Sequence, residues 1–235
     1  MLDDIIRDLP EVVQRYFKKV FQDNTSINIH SVRLSQEGQL RTSKEGYWMN
    51  FSASESIVAN ERSFQWKAKV KIPMGLHITV IDRYKEGIGT GQVKLLSIIP
   101  IGFETNRIEL NSGALHRYLA EGVWCPTVLL PINGVRWSAI NDDSAEASLS
   151  VGESTVSLEF RFNDDDEVIS VYSDGRYGKF KKGYQKKAWE GHFNDYREVN
   201  GIRIPFYGEV GWWDADQLDL VWKGRITKAE WDIKN

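Results

Sequence analysis

The sequence predicts an α+β protein built on a strongly curved antiparallel β-sheet, a half-barrel, with an N-terminal helix and a helical insert on the concave side. Three features of the 235-residue chain carry that expectation. Residues Trp189 to Trp213 form two extended, aromatic-rich runs around Asn200-Gly201, a dipeptide suited to a type I′ turn, whose central residues both take positive φ. Phe64, Trp66, Ala68, Val70 and Ile72 alternate with Ser63, Gln65, Lys67, Lys69 and Lys71, so one strand face is apolar and the other carries lysines. Between strand-like runs lies a helical pattern near residues 112–130, broken at Trp124-Cys125-Pro126-Thr127 and ended at Pro131. Broken helices in mid-sheet suit a curved sheet whose hollow side they plug.

Asp8-Leu9-Pro10-Glu11 reads as a helix start, with a capping aspartate, proline in the first turn and an acid near the positive end of the helix dipole. Val12, Val13, Tyr16, Phe17, Val20 and Phe21 then form a broad apolar stripe opposite Gln14, Arg15, Lys18 and Lys19. The chain is expected to be one domain, with this amphipathic helix in residues 1–24 and the sheet with its insert in 25–235. From about Ile27 the period changes to two. Pro73-Met74-Gly75 turns one strand into the next, Leu76-Ile78-Val80. Gly87 to Gly91 is a glycine-rich loop or bulge without the lysine of a phosphate loop. Asn111-Ser112 is expected to cap the insert helix through Leu115, Tyr118 and Leu119. Further alternating runs start at Val135, Ala145, Val156 and Leu218, joined by polar turns such as Gly152-Glu153 and Asn163-Asp164. About ten strands are expected.

Composition excludes several classes. A formal net charge of -3 gives no electrostatic reason to bind nucleic acid. The single cysteine, Cys125, forms no internal disulfide and reads as a buried, inert thiol. His30, His77, His116 and His192 lack metal-ligand spacing, although His116 and His192 could meet in space. Asp164 to Glu167 lacks the spacing of a calcium loop and reads as a hairpin turn. There is no Gly-x-Ser-x-Gly nucleophile elbow and no run of about 18 apolar residues. No metal or cofactor is implied. The N-terminus lacks a secretory signal, so the chain is expected in the cytoplasm, or outside it if an export signal has been removed. Arg176 to Lys187 interleaves lysines with aromatics; it reads as a mobile solvated loop and is the segment expected to make any peripheral membrane contact.

Arg117-Tyr118-Leu119-Ala120-Glu121, followed by Trp124, Pro126-Thr127 and Leu129-Leu130, resembles a segment of a widespread prokaryotic family with no established activity. Leu9-Pro10-Glu11, Arg15-Tyr16, Asp82-Arg83-Tyr84, Trp137, Ser144-Ala145, Asp195-Tyr196-Arg197 and Gly201 to Pro205 extend the likeness over nearly the whole chain. The layout also resembles the LolA and LolB lipoprotein carriers, a likeness of fold that does not itself carry function.

The expected function is non-catalytic binding of an apolar or amphiphilic small molecule, a lipid for example, between sheet and helices. The ligand residues expected are Arg83, Tyr84, His116, Arg117, Tyr118, Glu121, Trp124, Trp137, Tyr196 and Arg203, with room beside Trp124 and Trp137 under the insert. Two other readings stand beside it. One is a protein-interaction module or scaffold whose hollow is plugged by its own helices, its charges locked in a salt-bridge lattice. The other is an acid-base enzyme using His116 with Glu121 or Asp195.

Overall fold

The period-two alternation of the sequence becomes thirteen strands, three more than the expected ten, in a computed structural model that describes residues 2–21 and 28–233. The first six are β1 (Ile29–Leu40), β2 (Met49–Val58), β3 (Ser63–Lys71), β4 (His77–Lys85), β5 (Ile88–Leu95) and β6 (Ile99–Thr105). After the insert come β7 (Arg136–Asn141), β8 (Ser144–Val151), β9 (Ser154–Phe162), β10 (Val168–Phe180), β11 (Gly183–Val199), β12 (Ile202–Asp214) and β13 (Gln217–Ile233). All pair antiparallel in one sheet that is not closed into a barrel, ordered β6-β5-β4-β3-β2-β1-β13-β12-β11-β10-β9-β8-β7. The alternation of β3 is realised as expected: Phe64, Trp66, Ala68 and Val70 are buried, while Lys67, Lys69 and Lys71 are exposed.

This order places the first strand beside the last and leaves β6 and β7 as the edges. The chain leaves one edge and re-enters at the other, so the insert between them must cross the sheet. It does so as α3 (Ile108–Ala120), which packs against β4 and β5 on one wing and against β9 and β10 on the other. Short 3₁₀ turns follow at Glu121–Val123, Pro126–Leu129 and Pro131–Asn133. Leu115, Leu119, Val123, Val128, Leu129 and Leu130 are all buried in the main core. The helix begins before the expected Asn111-Ser112 cap, at Arg107, with no side-chain cap. The Asn111 carboxamide instead accepts the Gly89 backbone N–H at 2.8 Å, a tie from helix to sheet.

Antiparallel pairing sorts the turns to two ends. At one end lie the Ala59–Arg62, Glu86-Gly87, Asn163–Glu167 and Asn200-Gly201 turns. This end is closed by the insert and by α1 (Leu2–Ile6) and α2 (Glu11–Val20), where two helices replace the one expected. Asp8 is not the cap; Pro10 precedes α2, and no side chain caps it. Val12, Val13, Tyr16, Phe17 and Val20 are buried as the stripe requires. The expected boundary at residues 24/25, and Ile27, lie outside the described residues. Asn200 (φ 52°) and Gly201 (φ 76°) form the expected turn.

Two other expectations change. Gly87 to Gly91 is no loop: Gly87 completes a tight turn, and Gly89 and Gly91 belong to β5. Residues 176–187 are a paired hairpin of β10 and β11, turning at Lys181-Lys182. The Glu104 carboxylate of edge strand β6 accepts from Lys179 at 2.7 Å and from Tyr184 at 2.9 Å, holding the hairpin across the hollow.

Candidate functional site

The strand register lays the inward side chains of β1–β6 in rows. Nearest the closed end is an apolar row of Val32, Ile57, Phe64 and Tyr84. The next inward row is Leu34, Glu55, Trp66, Asp82, Gly91 and Glu104, with three carboxylates on the face that should be apolar. Beyond it, toward the open end, the rows of β2–β5 become apolar again: Ala53, Ala68, Val80 and Val93, beside polar Gln36 of β1, then Phe51, Val70, Ile78 and Leu95. Phe51, Trp66, Ala68 and Val70 form a cluster separate from the main core, with Leu40, Met49, Ile78, Val80 and Trp222 half-buried against it. The residues of the insert belong to the other cluster. The concave face is thus a main core, a polar belt and a second, smaller apolar cluster, in that order along the strands.

Arg117 of α3 organises the belt. Its guanidinium donates to Glu121 at 2.6 Å, Asp82 at 3.0 Å and Glu55 at 3.1 Å, lying 4.8 Å over the Phe64 ring and 5.2 Å over Trp66. Burial opposes its charge, yet Glu121, Glu55 and Asp82 together hold its pKa above the ordinary value. The Glu55 side chain is fully buried. Burial first, and then the Glu121 charge, push its pKa well above the usual carboxylate range against the pull of Arg117. Glu55 also accepts from Gln36 at 2.7 Å, and the Gln36 carbonyl accepts the Trp66 indole N–H at 2.8 Å. A buried charge is tolerable only when so surrounded.

A second arginine lies on the β10 side of α3 without such partners. Arg176 donates through Nη2 to the Gly113 carbonyl at 3.1 Å, an approach that the bare Gly113 permits, since a Cβ there would sit 2.9 Å from the Tyr177 carbonyl. Its guanidinium lies over two neighbouring indoles, 4.7 Å from the Trp189 ring centroid and 5.3 Å from that of Trp212. No carboxylate ion-pairs with it among the described residues. Desolvation, then the Arg117 cation, lower its pKa to about 10, so it stays charged at neutral pH. His116, one turn of α3 beyond Ser112, meets the Ser112 carbonyl at 2.9 Å and the Ser173 hydroxyl at 3.5 Å. Burial, then Arg176, bring its pKa down to about 4, so the ring is neutral at neutral pH.

The expected site residues divide. Arg117 and Glu121 meet in the belt, and His116 stands on the same helix beside Arg176. Tyr84 is buried between Phe64 and Tyr118 (ring centroids 6.4 and 6.2 Å), and the Tyr118 hydroxyl donates to the Ala59 carbonyl at 3.0 Å. Trp124, Trp137 and Tyr196 sit against the main core, their polar atoms bonded to the carbonyls of Pro205, Leu129 and Val168. The insert therefore packs where room for a ligand was expected. Arg83 is exposed and faces away from the hollow, because it alternates with inward Asp82 and Tyr84. Arg203 pairs with Glu167 at the β9–β10 turn, at 2.6 Å.

His116 and His192 do not meet. His192 is on the outer face, beside Glu190 (3.0 Å) and Glu209 (3.6 Å). Asp195 bonds Arg197 and Arg225, so it offers His116 no acid-base partner. Cys125 is buried, and desolvation raises its thiol to about 12. Among the described residues no group of three or more His, Cys, Asp or Glu side chains is placed to hold a metal ion. None of their helices is long and apolar enough to cross a membrane.

Sequence reasoning missed Glu55, Asp82, Gln36, Arg176 and Trp189 as site residues. The first three did leave a signal. Gln36 follows Val32 and Leu34, Glu55 sits between Ala53 and Ile57, and Asp82 between Val80 and Tyr84, each a polar residue in phase with an apolar face.

The chain belongs to DUF6920, a family of unknown function, whose model matches residues 7–231. Curated proteins give no significant match. Among solved structures, a Vibrio parahaemolyticus domain named for outer membrane lipoprotein sorting is similar at a TM-score of 0.53 and 10% identity, covering 96% of this chain and 92% of that one. A LolA superfamily protein from Nitrosomonas europaea (TM-score 0.46, 9% identity, 95% and 92% covered) is also similar. So is a DUF1329 family protein from Desulfovibrio piger (TM-score 0.49, 10% identity, 95% and 94% covered). The first of these shows a shared fold, an open antiparallel sheet wrapped on helices.

Proposed function

We propose that this member of DUF6920 binds an apolar or amphiphilic small molecule, without catalysis, in the groove at the open end of its half-barrel. One observation carries the reading. The inward wall from Phe51 to Leu95 is apolar, is half-buried at Leu40, Met49, Ile78 and Val80, and forms a cluster distinct from the core that holds the insert, the two meeting at Trp222, whose ring lies 6.3 Å from that of Trp124. Apolar concavities bordered by a few convergent polar groups are what ligand sites look like, and the Arg117 belt supplies that border. The lipoprotein-sorting name of the Vibrio domain agrees with this reading. The turns at the same end of the strands expose Tyr47, Met74, Leu76 and Ile98, and the β10–β11 turn exposes Lys181 and Lys182, groups suited to exchanging ligand at a lipid surface.

The test is titration with an environment-sensitive apolar dye, followed by competition with lipid extract and native mass spectrometry of protein purified from its own host. Saturable dye binding that Val80→Trp weakens, with melting unchanged, is the expected result. Absence of saturable binding would remove the ligand reading and leave the self-plugged scaffold.

A further inference from the structure

The two arginines of the hollow are treated differently by the fold. Arg117 is met by three carboxylates, whereas Arg176, equally drawn into the space beside α3, has one backbone carbonyl and two indole faces. Two donors at that place are buried and make no hydrogen bond among the described residues: the Arg176 Nε and the Trp189 indole Nε1. Buried donors are almost always satisfied, and neighbouring ones left open call for an acceptor from elsewhere. The surroundings favour an anion, because a guanidinium is a strong forked donor to carboxylate and phosphate oxygens. Neutral His116 adds no competing charge. The indoles also continue the groove: Trp212 is two residues from Val210, which pairs with Trp222. The Trp222 ring stacks on Phe51, and Phe51 meets Trp66, both at 5.7 Å.

We propose that Arg176 and Trp189 form the head-group subsite of the groove, binding the carboxylate or phosphate of a single-chain acidic amphiphile whose chain lies along the Trp212, Trp222 and Phe51 wall. The subsite rests on the reading of the groove as an amphiphile site. The rival is a structural role, in which Glu121 and Asp82 neutralise Arg176 at a distance; the Glu121 Oε2 is itself buried and unbonded among the described residues.

Isothermal titration of the intact protein with lauric acid, lauryl phosphate, lauryl alcohol and inorganic phosphate at constant ionic strength separates these outcomes. The acid and the phosphate ester are expected to bind about tenfold or more tightly than the alcohol, the gain of a charge-assisted hydrogen bond. Arg176→Gln should abolish that gap and leave alcohol binding within about twofold of wild type, and Trp189→Phe, which keeps the ring, should narrow it. If Arg176→Gln does not fold, Trp189→Phe decides: a narrowed gap supports the subsite and an unchanged gap overturns it. Equal affinity of acid and alcohol in the wild type, or equal weakening of both by Arg176→Gln, sinks the subsite while the groove stands. Saturable, Arg176-dependent binding of inorganic phosphate with no acid–alcohol gap would make the occupant a free anion and overturn the amphiphile assignment. Saturation by no amphiphile would remove the groove and the subsite together.

Discussion

Replacing Arg117 with methionine tests the polar belt most directly. Methionine keeps the stem that covers Phe64 and Trp66 but removes the charge that Glu121, Asp82 and Glu55 share at 2.6, 3.0 and 3.1 Å. Glu55 is then a fully buried carboxylate with Gln36 and the neighbouring Glu121 beside it and no cation. Breaking one side of such a buried arrangement costs about 3–5 kcal/mol. The cost depends on pH. The folded Glu55 already holds its proton to higher pH than the unfolded chain does, and without Arg117 it will hold it higher still. Through the window from the ordinary value near 4.5 up to the folded value, the folded state carries the extra proton, so stability falls as pH rises. Urea melts of Arg117→Met should show the full loss at pH 8 and a smaller one at pH 5. Adding Glu55→Gln should recover about 1–3 kcal/mol at pH 8, because a neutral amide costs less to bury. A loss below about 1 kcal/mol at pH 8, or the same loss at both pH values, would refute the coupling.

His116 titrates in the opposite sense. Its folded pKa of about 4 lies below the unfolded 6.5, so the stability it contributes is lost as pH falls through that interval. By chemical denaturation, His116→Asn should flatten the acid limb by up to about 3 kcal/mol, and an unchanged limb would show that His116 is not desolvated. Trp66→Ala should cost about 3–5 kcal/mol, since it removes a buried ring from the second apolar cluster and takes the indole donor from the Gln36 Oε1; a cost under about 1 kcal/mol would put that face in solvent. Gly201→Val places a β-branched residue at φ 76° and should lower the melting temperature by the equivalent of about 1–2 kcal/mol, whereas an unshifted melt would mean a looser turn. Glu104→Gln weakens the clamp on Lys179 and Tyr184, so amide exchange should speed up in residues 177–186 and nowhere else; unchanged exchange would show the hairpin to be held by its strands alone.

Local pattern by itself determined the α+β class, the inward face of β3, the Asn200-Gly201 turn and the presence of a broken helix between strands. Each depends on neighbours within a few residues: side-chain period, positive φ, or a proline that ends a helix. The site depended on the tertiary structure. Arg117 and Glu121 are one helical turn apart and were legible, but Glu55 and Asp82 reach them only because β2, β3 and β4 share a register. Arg176 read as part of a solvated basic segment, because its composition is that of a surface loop. It turns inward because β10 and β11 pair to their tips and bring it against α3. Trp124 and Trp137, expected to line a cavity, instead anchor the insert, because a helix crossing from β6 to β7 must pack over the sheet at the end where the chain also places α1 and α2. An apolar residue has the same sequence signature whether it faces a core or a groove. Which of the two it lines is decided by where the covering helix ends; here α3 and its turns lie over one end of the sheet, and Phe51, Val70 and Ile78 pack in a second cluster beyond them.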